Sequence, residues 1–212
     1  MKINQYILAI TAFFCLGASV ANAQNVQITP EITGVKYDFR GNTYLIVRDQ
    51  NPDATIPEFY AKTSRACPPF CVQPLAINGS VETVAELELL AFLKDYVDTD
   101  MGYLIDSRTE DFYAEGTIPG AVNLSHKLLI PNAGNVFFGS IMQMLGGEQS
   151  STGEWGFENP KDLMLFCNGP WCGQSPAAIR NLLAINYPAD KLHYYRGGMQ
   201  NWVSMGFTTI IP

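Results

Sequence analysis

Basic residues are scarce in this chain. Lys and Arg number 13 against 20 Asp and Glu, a formal net charge of −7, and there are only two histidines. That balance argues against nucleic acid or an anionic membrane surface as a partner. Any anionic substrate has to be held locally, by backbone N–H groups or by a few arginines. His126 and His193 stand alone, as packed or surface residues do more often than ligands do. No cofactor is implied by any motif, and no metal site is the leading reading. After the first residues no long apolar run occurs, so no membrane span is expected in the mature protein. Internal repeats and low-complexity runs are also missing.

The one concentrated apolar stretch is at the start. Lys2 supplies a short positive end, and Ile7 to Leu16 is too short to cross a bilayer. Ala21-Asn22-Ala23 is a small-x-small cleavage site. Residues 1–23 therefore read as a secretory signal peptide cut before Gln24, giving a periplasmic or secreted protein. Phe14 stands before Cys15, where lipoprotein processing needs a small residue, so a lipid anchor is set aside. Loss of Lys2 takes the net charge from −7 to −8. The 189 residues that follow suffice for one domain with an appended segment.

Cys15 leaves with the leader, and four cysteines remain in two close pairs: Cys67 with Cys71, and Cys167 with Cys172. An exported compartment permits disulfides, and four cysteines allow three connectivities. Cys67-Pro68-Pro69-Phe70-Cys71 reads first as a structural disulfide in a proline-rich loop. Its alternatives are a second thiol pair, or a soft-metal site formed with the other two cysteines.

Residues 24–80 differ in pattern from the rest. Val35–Phe39 and Thr43–Val47 read as a hairpin around Arg40-Gly41-Asn42. From Val81 to Pro212 helices and strands alternate. Val84, Leu87, Leu90, Ala91 and Lys94 predict an amphipathic helix. Strands are expected at Tyr103–Asp106, Ala121–Leu124, Leu163–Phe166 and Leu192–Tyr195. Further helices are expected over 110–114, 136–145, 176–185 and 199–205. Such alternation predicts a parallel sheet covered on both faces, with its site off the carboxyl ends of the strands.

One such end carries the richest chemistry. Leu163 to Phe166 runs into Cys167, and the loop Asn168-Gly169-Pro170-Trp171-Cys172-Gly173-Gln174 leads to Ser175 and a helix. Unpaired N–H groups at a helix start favour a thiolate over a thiol. Gly169 and Gly173 let the backbone curl, Pro170 stiffens it, and Ser175 is a good N-cap. Cys167 is the candidate nucleophile, the bland alternative being an inert cysteine at a strand end. Cys172 is either a resolving thiol or a loop cysteine packed on Trp171. Arg108 and Arg196 are candidate substrate contacts, though salt bridges or structural roles explain them equally well.

Four segments in this order resemble a rhodanese domain. Leu104-Ile105-Asp106-Ser107-Arg108 is similar to the family's strand ending in Asp-x-Arg. Gly116 to Leu124 resembles its Gly-His-Ile-Pro-Gly-Ala segment, with Thr117 in the usual place of histidine. Leu163 to Cys167 resembles the strand that ends in the sulfur-carrying cysteine. Arg196-Gly197-Gly198-Met199, with Trp202 and Gly206, resembles the closing turn. The loop departs from the common pattern: seven residues, not five, separate Cys167 from Ser175, and they include a second cysteine and no arginine. It is similar to the Cys-Asn-Gly-Pro-Trp-Cys-Gly-Gln-Ser loop of an exported bacterial subgroup. Phosphatases of the family need an arginine six places after the cysteine, and Gly173 stands there.

The resemblance implies an α/β rhodanese-like fold over residues 81–212, a central parallel sheet with helices on both faces; the small β-rich segment over 24–80 that precedes it lies outside the resemblance. It implies sulfane sulfur carried as a persulfide on Cys167, from a donor such as thiosulfate to a thiol or other nucleophile. The partner would be a small sulfur compound or a thiol acceptor protein. The alternatives are thiol–disulfide exchange through Cys167 and Cys172, or a non-catalytic interaction module on the same fold.

Overall fold

The computed structural model describes residues 25–132 and 134–212. The expected leader, residues 1–23 with Cys15, lies outside the described residues. Two strands are buried along their whole length, β4 (Gly102–Asp106) and β8 (Asp162–Phe166), each largely apolar with one buried aspartate at an end. A strand buried on both faces belongs in the middle of a covered sheet. Both occupy that place in a five-stranded parallel sheet of order β3 (Glu82–Val84), β9 (Leu192–Tyr195), β8, β4, β5 (Val122–Asn123). Two short hairpins lie outside it, β1 (Val35–Phe39) with β2 (Asn42–Ile46), and β6 (Glu148–Gln149) with β7 (Trp155–Gly156). The expected α/β architecture with a β hairpin before it is present.

The helices are α1 (Glu58–Ala61), α2 (Glu86–Phe92), α3 (Glu110–Glu115), α4 (Phe138–Met144), α5 (Gln174–Ala184) and α6 (Gly198–Ser204). Leu182 and Ile179 of α5, Trp202 of α6 and Leu89 of α2 are fully buried in the core that also holds Leu104, Leu165 and Tyr195.

The helix expected from the spacing of Val84, Leu87, Leu90, Ala91 and Lys94 takes a different form. Val84 is in β3, paired with Tyr195 of β9, so the helix starts two residues later. A wider turn over Leu93–Val97 follows it, closed by the Asp98 N–H on the Leu93 carbonyl at 2.9 Å. The buried face is Leu89, Leu90, Phe92, Leu93 and Val97, while Leu87 is 49% exposed. A three-residue edge strand held by its neighbour carries too little pattern to show in sequence, and it shifts the helix behind it.

The first hairpin turns on two residues, not three. Arg40 and Gly41 have φ of 49° and 79°, the left-handed pair that matches the twist of a two-residue turn. It joins the main core: Tyr37, Phe39 and Ile46 are buried with the sheet residues. The Tyr37 hydroxyl donates to the Pro119 carbonyl, and the Asp38 N–H to Asp98 Oδ1 at 2.6 Å. Further on, Thr208 N–H donates to the Val47 carbonyl at 3.1 Å and Asp49 N–H to the Gly206 carbonyl at 2.6 Å.

Leu104, at the centre of β4, has no exposed surface. Leu104→Ala is expected to lower unfolding free energy by about 2–5 kcal/mol, read from the urea midpoint at unchanged slope.

Candidate active site

Register places the ends of β4 and β8 side by side, with Asp106 opposite Phe166. Cys167 follows Phe166 and is 2% exposed. The loop after it closes on itself through the Cys172 N–H to the Gly169 carbonyl, at 2.8 Å. Its first peptides are clamped by α6: Met199 N–H donates to the Cys167 carbonyl and Gln200 N–H to the Asn168 carbonyl, both at 2.9 Å. Gly198 makes this approach possible. Its φ is +56°, and a Cβ there would lie 2.3 Å from the Cys167 carbonyl oxygen. The Arg-Gly-Gly-Met segment is thus the support on which the cysteine loop rests.

The helix after the loop begins earlier than the sequence suggests. Gly173 occupies the cap position of α5, and Ser175 lies inside its first turn with no exposed surface. Ser175 is therefore not the N-cap. In the resting thiol the Cys167 S–H donates to the Cys172 carbonyl at 3.3 Å, and the Ser175 hydroxyl has no partner among the described residues. That idle donor is available to a thiolate.

Burial alone would push the Cys167 thiol up. It is outweighed by hydrogen bonds from the Cys172 thiol, the Ser175 hydroxyl and N–H, and the Gly169 N–H, which bring Cys167 from 9.0 to about 7. The Cys172 thiol moves the other way, raised first by its hydrogen bond to Cys167 and then by burial. The two titrate as a pair: Cys167 is the sulfur that ionises, and Cys172 keeps its proton, which in the resting thiol points to Gln174 Oε1 at 3.5 Å. Both are free and buried.

The expected anion contacts are engaged elsewhere. Arg108 is 1% exposed; its Nε donates to Asp106 Oδ1 at 2.9 Å and its Nη2 to Asp106 Oδ2 at 2.6 Å. The same group donates to the Gly116 carbonyl at 2.6 Å and to the Tyr60 hydroxyl at 3.1 Å. Arg196 donates to the Gln73 carbonyl at 2.8 Å and the Pro74 carbonyl at 3.2 Å. Arg108 is thus a buried structural anchor, and Arg196 is a half-buried one that holds the Gln73–Pro74 segment through Nε and Nη2. Thr117, in the place of the family's histidine, is buried and donates to Asp106 Oδ2 at 2.8 Å.

Those anchors tie the segment before the sheet to the site. The Tyr60 hydroxyl donates to Asn168 Oδ1 at 3.3 Å, and Gln73 N–H to the Pro170 carbonyl at 2.8 Å. Cys67 and Cys71 are bonded to each other, which removes the thiol-pair and metal alternatives for them in this state. Phe70, between them, meets the Trp171 ring edge-on at 5.6 Å, Phe59 meets it at 6.0 Å, and the Arg65 guanidinium lies 3.8 Å from its centre. Trp171 Nε1 donates to Gln200 Oε1. Among the described residues, no three His, Cys, Asp or Glu side chains converge as a metal site.

A cavity of about 420 Å³ opens between the loop and this segment. Its wall includes Phe70, Phe112, Trp171, Cys172, Gln174 and His126. Cys167 sits behind Cys172 and does not line it. Sequence reasoning missed Phe70, Phe112, Tyr60 and His126. The aromatic between two cysteines was the one available signal; the others depend on contacts far apart in the chain.

The rhodanese-like domain model matches residues 87–205. Among solved structures, a human single-domain sulfurtransferase is 21% identical, with a TM-score of 0.38, over 58% of this chain and 96% of that one. A protein of unknown function from Rhodopseudomonas palustris, described as a possible tyrosine phosphatase, is 18% identical, with a TM-score of 0.42, over 63% and 88%. The thiosulfate sulfurtransferase from Pseudomonas aeruginosa is 16% identical, with a TM-score of 0.39; the match covers 61% of this chain and 20% of that one. No curated protein matches significantly.

Alkylation of Cys167 by iodoacetamide, followed by peptide mapping, is expected to rise with pH around a midpoint of about 7. Ser175→Ala removes a donor to the thiolate and should move the midpoint upward by roughly one unit, slowing the reaction at neutral pH. An unchanged midpoint would show that the hydroxyl does not serve the thiolate.

Proposed function

The chain belongs to the rhodanese-like domain family, and we propose that it is an exported sulfurtransferase that carries sulfane sulfur as a persulfide on Cys167. The family match supports sulfurtransferase-type chemistry at the level of the domain. The observation that supports the finer reading is the place of Cys167, buried at a strand end against the first turn of α5 with the unpartnered Ser175 hydroxyl, where hydrogen bonds to the thiolate lower its pKa despite burial. A thiolate is the attacking form of cysteine, and here no cationic side chain is needed to make it.

In the first half-reaction the Cys167 thiolate attacks the outer sulfur of a donor such as thiosulfate. A bond forms between the two sulfurs, the donor's S–S bond breaks, and sulfite leaves with the electron pair. The persulfide anion then occupies the ring of donors that held the thiolate. A thiol or other nucleophile takes the outer sulfur and returns Cys167 to its starting form. Export, with cleavage before Gln24, is part of the same reading; a disulfide at Cys67–Cys71 suits an oxidising compartment.

A second reading has its own support. The Cys172 carbonyl accepts from the Cys167 S–H at 3.3 Å, which keeps the two cysteines side by side; a Cys172 thiol that leaves Gln174 Oε1 would attack a persulfide on Cys167, closing a Cys167–Cys172 disulfide and releasing hydrosulfide. An external dithiol would then be needed to reopen it.

Reduced mature protein mixed with thiosulfate is expected to gain one sulfur atom by intact mass, and to yield thiocyanate on addition of cyanide. Cys167→Ser should abolish both, while Cys172→Ser should keep the adduct. If Cys172→Ser also stops turnover and a Cys167–Cys172 disulfide is trapped in the parent protein, the redox reading replaces the carrier. No adduct and no exchange would leave a binding module.

A further inference from the structure

We infer that the cavity beside the cysteine pair is the binding site for the sulfur acceptor, and that the acceptor is a thiol with an uncharged, apolar body of aromatic character. This rests on Cys167 acting as the persulfide carrier, and it adds the class of compound that receives the sulfur.

The cavity, about 420 Å³, is within the usual range for small-molecule sites. Phe70, Phe112 and Trp171 give it an aromatic wall, and no Lys, Arg, Asp or Glu lines it. The cations nearby lie outside the wall, and Lys127 acts on it only through His126. Arg108 is bonded to Asp106, Arg196 to the carbonyls of Gln73 and Pro74, and Arg65 is stacked on Trp171 with its Nη2 on the Phe59 carbonyl. His126, the one titratable nitrogen in the wall, is lowered by burial and is neutral at physiological pH. A charged acceptor body seated here would lose hydration against a wall that holds no charged side chain. An apolar body would gain the burial of its surface against three aromatic rings.

Placement supports the same assignment. Cys172 is part of the cavity wall, and its carbonyl accepts from the Cys167 S–H at 3.3 Å, while the Cys167 sulfur itself is almost unexposed. A thiol seated in the cavity therefore approaches the pair from its open side. Phe70 and Pro69 come from the disulfide-closed turn, outside the 87–205 region that matches the family. This part of the wall is the chain's own addition to the domain, so specificity that follows from it belongs to this protein.

The transfer is balanced without an outside oxidant or reductant. The acceptor thiolate attacks the outer sulfur of the Cys167 persulfide and forms a new S–S bond. The bond between the outer sulfur and Cys167 breaks, its electron pair stays on Cys167 as the thiolate, and the acceptor leaves as an organic persulfide.

The test loads the mature protein with thiosulfate, verifies the one-sulfur adduct by intact mass, and follows its discharge by two alkyl thiols of similar acidity. One is 2-phenylethanethiol, with an aromatic body; the other is 2-mercaptoethanesulfonate, with an anionic one. The aromatic thiol is expected to discharge the adduct about tenfold faster or more in second-order rate constant. Phe70→Ala and Phe112→Ala, each verified as folded by thermal melt, should each cut that preference about threefold or more. Equal rates, or a preference untouched by both substitutions, would overturn the assignment while leaving the carrier intact. Failure of the adduct to form at all would overturn the carrier, and the acceptor site with it.

Discussion

Two helices meet the same short piece of backbone, and the site is built on that meeting. The peptide after β8 is gripped by the first N–H groups of α6, at Met199 and Gln200, while the first turn of α5 lies over the sulfur that follows. The grip needs Gly198, since any side chain there would run into the Cys167 carbonyl. With its backbone held from one side, the loop can aim N–H groups inward at the sulfur from the other. An extended parallel sheet supplies the position, because its strands end together and leave their following loops on one edge.

That geometry settles the electrostatics. A buried thiol is ordinarily a weaker acid, and Cys167 is among the most buried groups of the chain. Hydrogen bonds to the anion reverse the effect, the largest from the Cys172 thiol. The arginines that might have done this work with full charge are drawn off to Asp106 and to the carbonyls of Gln73 and Pro74. Arg108, in the buried ion pair with Asp106, fixes the adjacent strand end and also takes hold of Tyr60, from outside the family match. The cavity wall thus holds no charged side chain, and the site's open side is mostly apolar.

Much of this was legible in the chain. The strand-to-cysteine-to-helix run, the alternation from Val81 on, and the continuous apolar stretches at β4 and β8 are local patterns, and the structure keeps them. The errors also have local causes. Val84 looked like the start of a helix because a three-residue strand has no periodicity of its own. Ser175 looked like a cap because caps are recognised by residue type, whereas the turn at Gly173 starts the helix earlier. For Arg108 and Arg196 the sequence left substrate contact and structural role both open, because it does not show which carboxylate or carbonyl a guanidinium finds.

By itself the sequence determined the order of strands and helices, the cysteine at a strand end, and the family to which the arrangement belongs, since each depends on neighbouring residues. Only the tertiary structure decided that Cys172 faces the cavity with Cys167 behind it. It alone brought Phe70, Phe112 and His126, from three separate stretches of chain, to one wall with Trp171. Such placements depend on which elements pack together, and packing is set by burial across the whole fold, which no short stretch of sequence records.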